Sequence, residues 1–139
     1  MIDYNYEIDF TLDDEIVFTE WIENVVVSEG KILGELTYIF CDDEYLLEIN
    51  QQYLNHDDLT DIISFDYSED NVISGDIFIS IERVRDNAND LAVAFEDELK
   101  RVVIHGVLHY CGYKDKSEEE ANLMRLKEDE KLQMFHVKH

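Results

Sequence analysis

The eleven residues from His105 to Asp115, His-Gly-Val-Leu-His-Tyr-Cys-Gly-Tyr-Lys-Asp, constrain the fold more than any other stretch. The run ahead of them, Asp97 to Ile104, has helical patterning and places both histidines on one helix, Phe95 to Cys111. Four residues apart, they share a face with Cβ atoms roughly 5–6 Å from each other. Across that gap two imidazole nitrogens can meet one ion at about 2.0–2.1 Å each. Val107 and Leu108 between them are apolar, so the histidine face is set in a core and this helix belongs at the centre of the molecule. Gly112 predicts the helix stop, because glycine enters the left-handed conformation without a Cβ clash. The chain can then turn back and bring Asp115 under the same ion. Two histidines and one carboxylate leave a tetrahedral zinc with one open position, which marks a catalytic site rather than a structural one. The bland alternative is a pair of core histidines bonded to carbonyls; the glycine stop and the placed carboxylate favour the metal. Cys111 stands beside the ligands, but its side chain leaves the helix on another face.

The elements around that helix read off in order. Ile2, Tyr4, Tyr6, Ile8 and Phe10 alternate with polar residues, which predicts a half-buried strand over 2–10. Thr11 to Asp14 offers a capping box for a helix that buries Ile16, Val17, Trp21, Ile22, Val25 and Val26, and that Glu29-Gly30-Lys31 ends. A second strand spans Ile32 to Cys41. A second helix starts at Asp42–Glu44, carries Leu46, Leu47, Ile49, Asn50 and Tyr53 on its stripe, and stops near Leu54-Asn55-His56. Strands over 60–67 and 74–80, joined by the turn residues Ser68-Glu69-Asp70-Asn71, predict a hairpin. Helices follow over about 82–92 and 95–111. A capping box at Ser117-x-x-Glu120 begins a last helix that buries Ala121, Met124, Leu132 and Phe135. The expectation is an α+β fold: a small four-stranded mixed sheet with about five helices and a central metal-binding helix, in one domain over 1–139.

Charge and composition narrow the partners. The net charge of −23 argues against general nucleic-acid affinity, DNA included. Its distribution is uneven: residues 1–82 carry 22 acidic side chains and one basic, Lys31, while residues 83–139 carry 12 and 10. The basic residues are either ordinary helix-surface charges or a cationic rim near the histidine motif. No apolar run approaches the roughly 20 residues of a membrane span. Met1-Ile2-Asp3-Tyr4 shows no signal peptide. Cys41 and Cys111 read as reduced thiols, as expected of a cytoplasmic protein.

The pattern His105-Gly106-x-Leu108-His109-x-x-Gly112-Tyr113-x-Asp115 closely resembles the motif of the YbeY family, bacterial metal-dependent endoribonucleases of ribosomal RNA maturation. Asn50-x-x-Tyr53, Thr60-Asp61-x-x-Ser64-Phe65 and Gly75-Asp76-Ile77-x-Ile79-Ser80 resemble further family segments in order and spacing, so the likeness covers roughly residues 36–125. It implies one zinc ion and a cytoplasmic enzyme specific for single-stranded RNA. The resemblance also implies a place at the small ribosomal subunit, in 3′-end maturation of the small-subunit RNA and in ribosome quality control. The sequence departs from the family at several positions. Asp115 stands where the third ligand is usually histidine, and Leu54 where an arginine usually engages the RNA phosphate. His56 and Asp58 replace lysines, and Leu59 replaces a proline.

The mechanism these residues suggest is metal-assisted phosphodiester cleavage. His105, His109 and Asp115 hold zinc and its bound water, and the ion polarises the phosphate. Lys100, Arg101 and Lys114 are candidate phosphate contacts, or solvated helix charges; Thr60 and Ser64 are candidate cleft hydrogen-bond donors, or strand-packing residues. Two rivals remain. A metallopeptidase-like hydrolase would need a general base in the His-Glu-x-x-His position, where this chain has Gly106. A non-catalytic ribosome-assembly factor with a structural metal fits the acidity and Leu54.

Overall fold

A computed structural model describes residues 1–54 and 59–135. Four strands, β1 (Ile2–Tyr6), β2 (Ile32–Cys41), β3 (Ile62–Asp66) and β4 (Val72–Ser80), form one sheet in the order β1-β2-β4-β3. β1 runs parallel to β2 and β2 parallel to β4; β3 closes the sheet as the antiparallel arm of the expected hairpin, with Ser64 opposite Ile77. Five helices complete the described residues: α1 (Glu15–Ser28), α2 (Asp43–Leu54), α3 (Ile81–Leu91), α4 (Phe95–Tyr110) and α5 (Glu118–Phe135). The architecture is the expected α+β arrangement, and none of these helices is long and apolar enough to cross a membrane.

The histidine helix, α4, is the keel. Leu99, Val102, Val103, Ile104, Val107 and Leu108 are buried on it, against Tyr38, Phe40 and Ile77 of the sheet and Trp21, Ile22 and Met124 of α1 and α5. Gly106 explains how the helix gets so close to the sheet. A Cβ there would stand 3.0 Å from Ile77 Cδ1 and 3.2 Å from Ile62 Cδ1, tighter than side chains normally pack. At the helix end Tyr110 lies over Gly75, which has no Cβ to obstruct it, and its hydroxyl donates to the Phe65 carbonyl at 2.9 Å. That bond ties the residue after His109 to the β3–β4 hairpin. The helix then stops as expected, with Gly112 at φ 105°.

The structure corrects several local expectations. β1 ends at Tyr6, and Ile8 and Phe10 reach the core from irregular backbone. The cap of α1 is Asp14, whose carboxylate accepts from Val17 N at 3.2 Å, and not Thr11. Starting there puts Phe18, Trp21, Ile22, Val25 and Val26 on the buried stripe at helical spacing and turns Ile16 out to solvent. The capping box of α5 forms in both directions: Glu120 N donates to Ser117 Oγ and Ser117 N to Glu120 Oε1. Its buried stripe holds Met124 but not Ala121, and it includes two charges, Glu128 and Lys131. α2 ends at Leu54; of the residues expected at its end, Asn55 and His56 lie outside the described residues, as does Asp58.

Candidate metal centre

Glu98, Val102, His105 and His109 follow one another along a single stripe of α4. That stripe faces a cleft of about 470 Å³ between α4, α5, the start of β3 and the turn after α4. His105 and His109 come from successive turns of the helix; Asp115 returns from the turn that Gly112 opens. The three converge. His105 Nε2 lies 3.0 Å from His109 Nε2 and 3.2 Å from Asp115 Oδ2, and His109 Nε2 lies 3.5 Å from the same oxygen.

That triangle is a fit test for an ion. Tetrahedral ligand atoms at about 2.0–2.1 Å from zinc stand about 3.3–3.4 Å from each other. The observed edges bracket this value, so the side chains need to move only by tenths of an ångström. The three side chains are 20%, 31% and 40% exposed, which leaves the far side of the triangle reachable from the cleft. Among the described residues this is the one such group that could hold a metal, and Cys111 is outside it, packed against the core.

His105 is held by a second carboxylate. Its Nδ1–H donates to Glu128 Oε2 at 2.7 Å, which turns Nε2 toward the triangle. Arg101 steadies Glu128 in turn, donating to Oε1 at 2.8 Å while its other nitrogen reaches Asp129 at 2.9 Å. Burial pushes the Glu128 pKa up, but the hydrogen bonds from His105 and Arg101 outweigh it and the group stays below the ordinary glutamate value. Burial likewise disfavours a charged His105; the bond to Glu128 and the charges of Glu128, Asp115 and Asp61 outweigh that and raise its pKa. Surroundings that stabilise a proton on this ring also stabilise a cation in its place.

The remaining expected residues divide. Arg101, Thr60 and Ser64 line the cleft; Lys100 and Lys114 do not. Lys100 sits on another face of α4, its ammonium 4.0 Å above the Phe135 ring, and Lys114 is exposed in the turn. The Thr60 hydroxyl donates to the Ile62 carbonyl at 3.3 Å, and Ser64 bonds the Tyr110 hydroxyl, so both are engaged within the protein. Arg101 is committed to its two carboxylates. Leu54 is exposed beside a neighbouring depression that Thr60 and Ser64 also line. Position 106 faces Ile77 and Ile62 in the core, so no residue there could serve as the base a peptidase needs.

Four charged cleft residues went unassigned from sequence: Asp61, Glu98, Arg125 and Glu128. Asp61 accepts from Asn87 Nδ2 at 3.4 Å, and burial raises its pKa against the pull of His105. The signal for Glu128 was a charge on the stripe Met124-Glu128-Lys131-Phe135, where core residues are expected.

The chain is similar to known proteins over nearly its whole length. The family model described as Endoribonuclease YbeY matches residues 5–136. The chain is 67% identical over 137 residues to a Flavobacterium johnsoniae protein named Endoribonuclease YbeY, covering 99% of each chain. It is 54% identical over 136 residues to the protein of that name in Christiangramia forsetii, covering 98% of this chain and 95% of the relative. The solution structure of a Thermotoga maritima protein superposes with a TM-score of 0.68 at 27% identity, over 97% of this chain and 89% of that one.

Proposed function

The chain belongs to the YbeY family, and from that premise we propose that it is a zinc-dependent endoribonuclease. Its substrate is single-stranded RNA, in 3′-end maturation of small-subunit ribosomal RNA and in ribosome quality control, and its place of work is the bacterial cytoplasm at the small subunit. The single observation that carries the reading is the His105–His109–Asp115 triangle, sized for one ion and open toward a cleft. A set of two imidazoles and one carboxylate suits zinc. When bound, the ion supplies Lewis acidity toward a phosphoryl oxygen.

The chain's own residues do the rest. His105 and His109 would hold the ion through their ring nitrogens, and Glu128 sets the tilt of His105. Asp115 makes the site one unit more negative than a third histidine would, which weakens the Lewis acid. Tyr110 ties the helix end that carries His109 to the hairpin. The buried core does not include the triangle, whose members sit at the cleft wall, and this placement favours a catalytic over a structural metal.

The test is metal content by mass spectrometry together with cleavage of a single-stranded RNA, on the chain and on His109→Ala. The expected result is about one zinc per wild-type chain, and a loss of cleavage of at least about a thousandfold in the variant. Undiminished cleavage by His109→Ala refutes the reading.

A further inference from the structure

Two side chains in the cleft have nothing to do in the structure as it stands. Glu98 is 6% exposed and lines the cleft, yet its carboxylate has no hydrogen-bond or ion-pair partner among the described residues. Arg125 lines the same cleft from α5, is exposed, and likewise has none. The other cleft arginine, Arg101, is fully committed. The Glu98 oxygens open onto the cleft rather than being sealed in the core, and a carboxylate on an otherwise buried residue, with no donor from the protein, is available to a ligand that brings one. Burial first, then the charges of Asp61 and Glu128, raise the Glu98 pKa; Arg101 and Arg125 pull it the other way.

We propose that Glu98 and Arg125 form a second substrate subsite beside the triangle, for the nucleotide flanking the bond that is cut, in which Arg125 binds its phosphate and Glu98 accepts a hydrogen bond from its ribose 2′-hydroxyl. The assignment rests on the ribonuclease reading. Glu98 precedes His105 by seven residues on the same helix face, about 10 Å along the axis. That is the distance of a neighbouring nucleotide, not of the one whose phosphate meets the triangle. Arg125 is the one cleft arginine free to make a forked bond to phosphate. The choice of ribose over base follows from the walls: apart from the two histidines, no aromatic side chain lines the cleft among the described residues to stack a base. Of the donors an RNA chain offers, the 2′-hydroxyl occurs on every nucleotide and is the group that separates RNA from DNA. The four carboxylates of the cleft, Asp61, Glu98, Asp115 and Glu128, outnumber its two arginines. Arg125 therefore makes the phosphate contact that this acidic body otherwise lacks.

The experiment uses the full chain loaded with zinc, and a single-stranded RNA scanned with one 2′-deoxy nucleotide at a time. Wild type is expected to lose about tenfold in cleavage at one flanking position. In Glu98→Leu that penalty vanishes and cleavage of all-ribose RNA falls by a similar factor, while the Tm stays within about 3 °C of wild type, which shows that the fold is intact. Glu98→Gln, which keeps one acceptor, recovers part of the discrimination. Arg125→Gln weakens binding of labelled RNA to the chelator-treated chain, and makes the slope of log affinity against log salt shallower by about 0.7. If the deoxy penalty persists in Glu98→Leu, or never occurs in a wild-type chain that does cut RNA, or if Arg125→Gln keeps the wild-type salt slope, the subsite is wrong and the ribonuclease reading stands. If zinc-loaded wild type leaves every RNA intact, both fall together.

Discussion

Helix α5 carries two buried charges one turn apart, Glu128 and Lys131, and they do opposite jobs. Glu128 faces α4, where it orients His105 and is steadied by Arg101. Lys131 faces α1, where its ammonium meets Glu29 at 2.8 Å and Ser28 Oγ at 2.9 Å, and its backbone carbonyl accepts from the Trp21 indole at 2.8 Å. Phe135 continues the same side, edge-on to Phe18 and Trp21. One helix thus bolts the fold together at one seam and tunes a candidate metal ligand at the other. Burial of a charge therefore does not identify function by itself; what the charge touches does. Lys131 touches two carboxylates, Glu29 and Glu130, a hydroxyl and the Trp21 indole. Glu128 touches a ring whose other nitrogen points into a cleft.

The largest expected effect separates the seams. Lys131→Met strands Glu29, which keeps only the Tyr113 hydroxyl at 2.7 Å and Lys127 at 4.0 Å. Removing one partner of a buried pair costs about 3 kcal/mol, so chemical denaturation should show a loss of that size. Zinc affinity, measured by competition with a chelating dye, should stay within about twofold because nothing at the triangle changes. A large drop in affinity would show that the two seams are one cooperative unit.

Glu128→Gln is the mirror experiment. The amide cannot hold the His105 N–H as a carboxylate does, and loss of such an outer partner lowers metal affinity about 10–100-fold. The same dye competition reads this. Arg101 keeps Asp129, so the fold should lose less than in Lys131→Met. An unchanged affinity would show that the helix backbone alone aims His105.

The triangle could be read from sequence because its parts are local: two histidines on one helix face, a glycine stop, and a carboxylate six residues after His109. β2 was legible from end to end for the same reason, as was the hairpin. What could not be read is whatever the fold imports from afar. Glu128 reaches His105 across 23 residues and a helix turnaround, and Asp61 and Arg125 arrive from the bend ahead of β3 and from α5. Lys100 and Arg101 are adjacent in sequence yet end on different faces of α4, because successive helix residues diverge by about 100°. Spacing alone does not say which of the two faces the cleft. The order β1-β2-β4-β3 was equally out of reach, since nothing local records which strands become neighbours.

Acid should act on the α1 seam with a definite sign. Burial pushes the Glu29 pKa up, but hydrogen bonds from Lys131 and Tyr113 and the charges of both lysines outweigh it, and the value falls below the ordinary 4.5. A depressed carboxylate contributes its stability above the unfolded value. That contribution is lost as pH drops from about 4.5 through the folded value. Wild type should therefore lose stability over that window, and Glu29→Gln should lose less across it. Equal slopes for the two chains would remove Glu29 from the seam.

The smallest effect probes the sheet beneath the triangle. Gly106→Ala gains about 1 kcal/mol of helix propensity, while the added methyl meets Ile77 Cδ1 at 3.0 Å and Ile62 Cδ1 at 3.2 Å. Overpacking a core costs about 1–3 kcal/mol, so packing wins and the net loss should be about 1 kcal/mol. Both contacts are the ends of isoleucine side chains, which can give by tenths of an ångström. Helix α4 should then lift only slightly, with His105 and His109 moving together and Asp115 following less. Zinc affinity should fall by less than about threefold, well short of Glu128→Gln. If it falls further than in Glu128→Gln, the distance of α4 from the sheet, and not the carboxylate behind His105, sets the triangle. The division of labour along α5 would then have to be redrawn around Gly106.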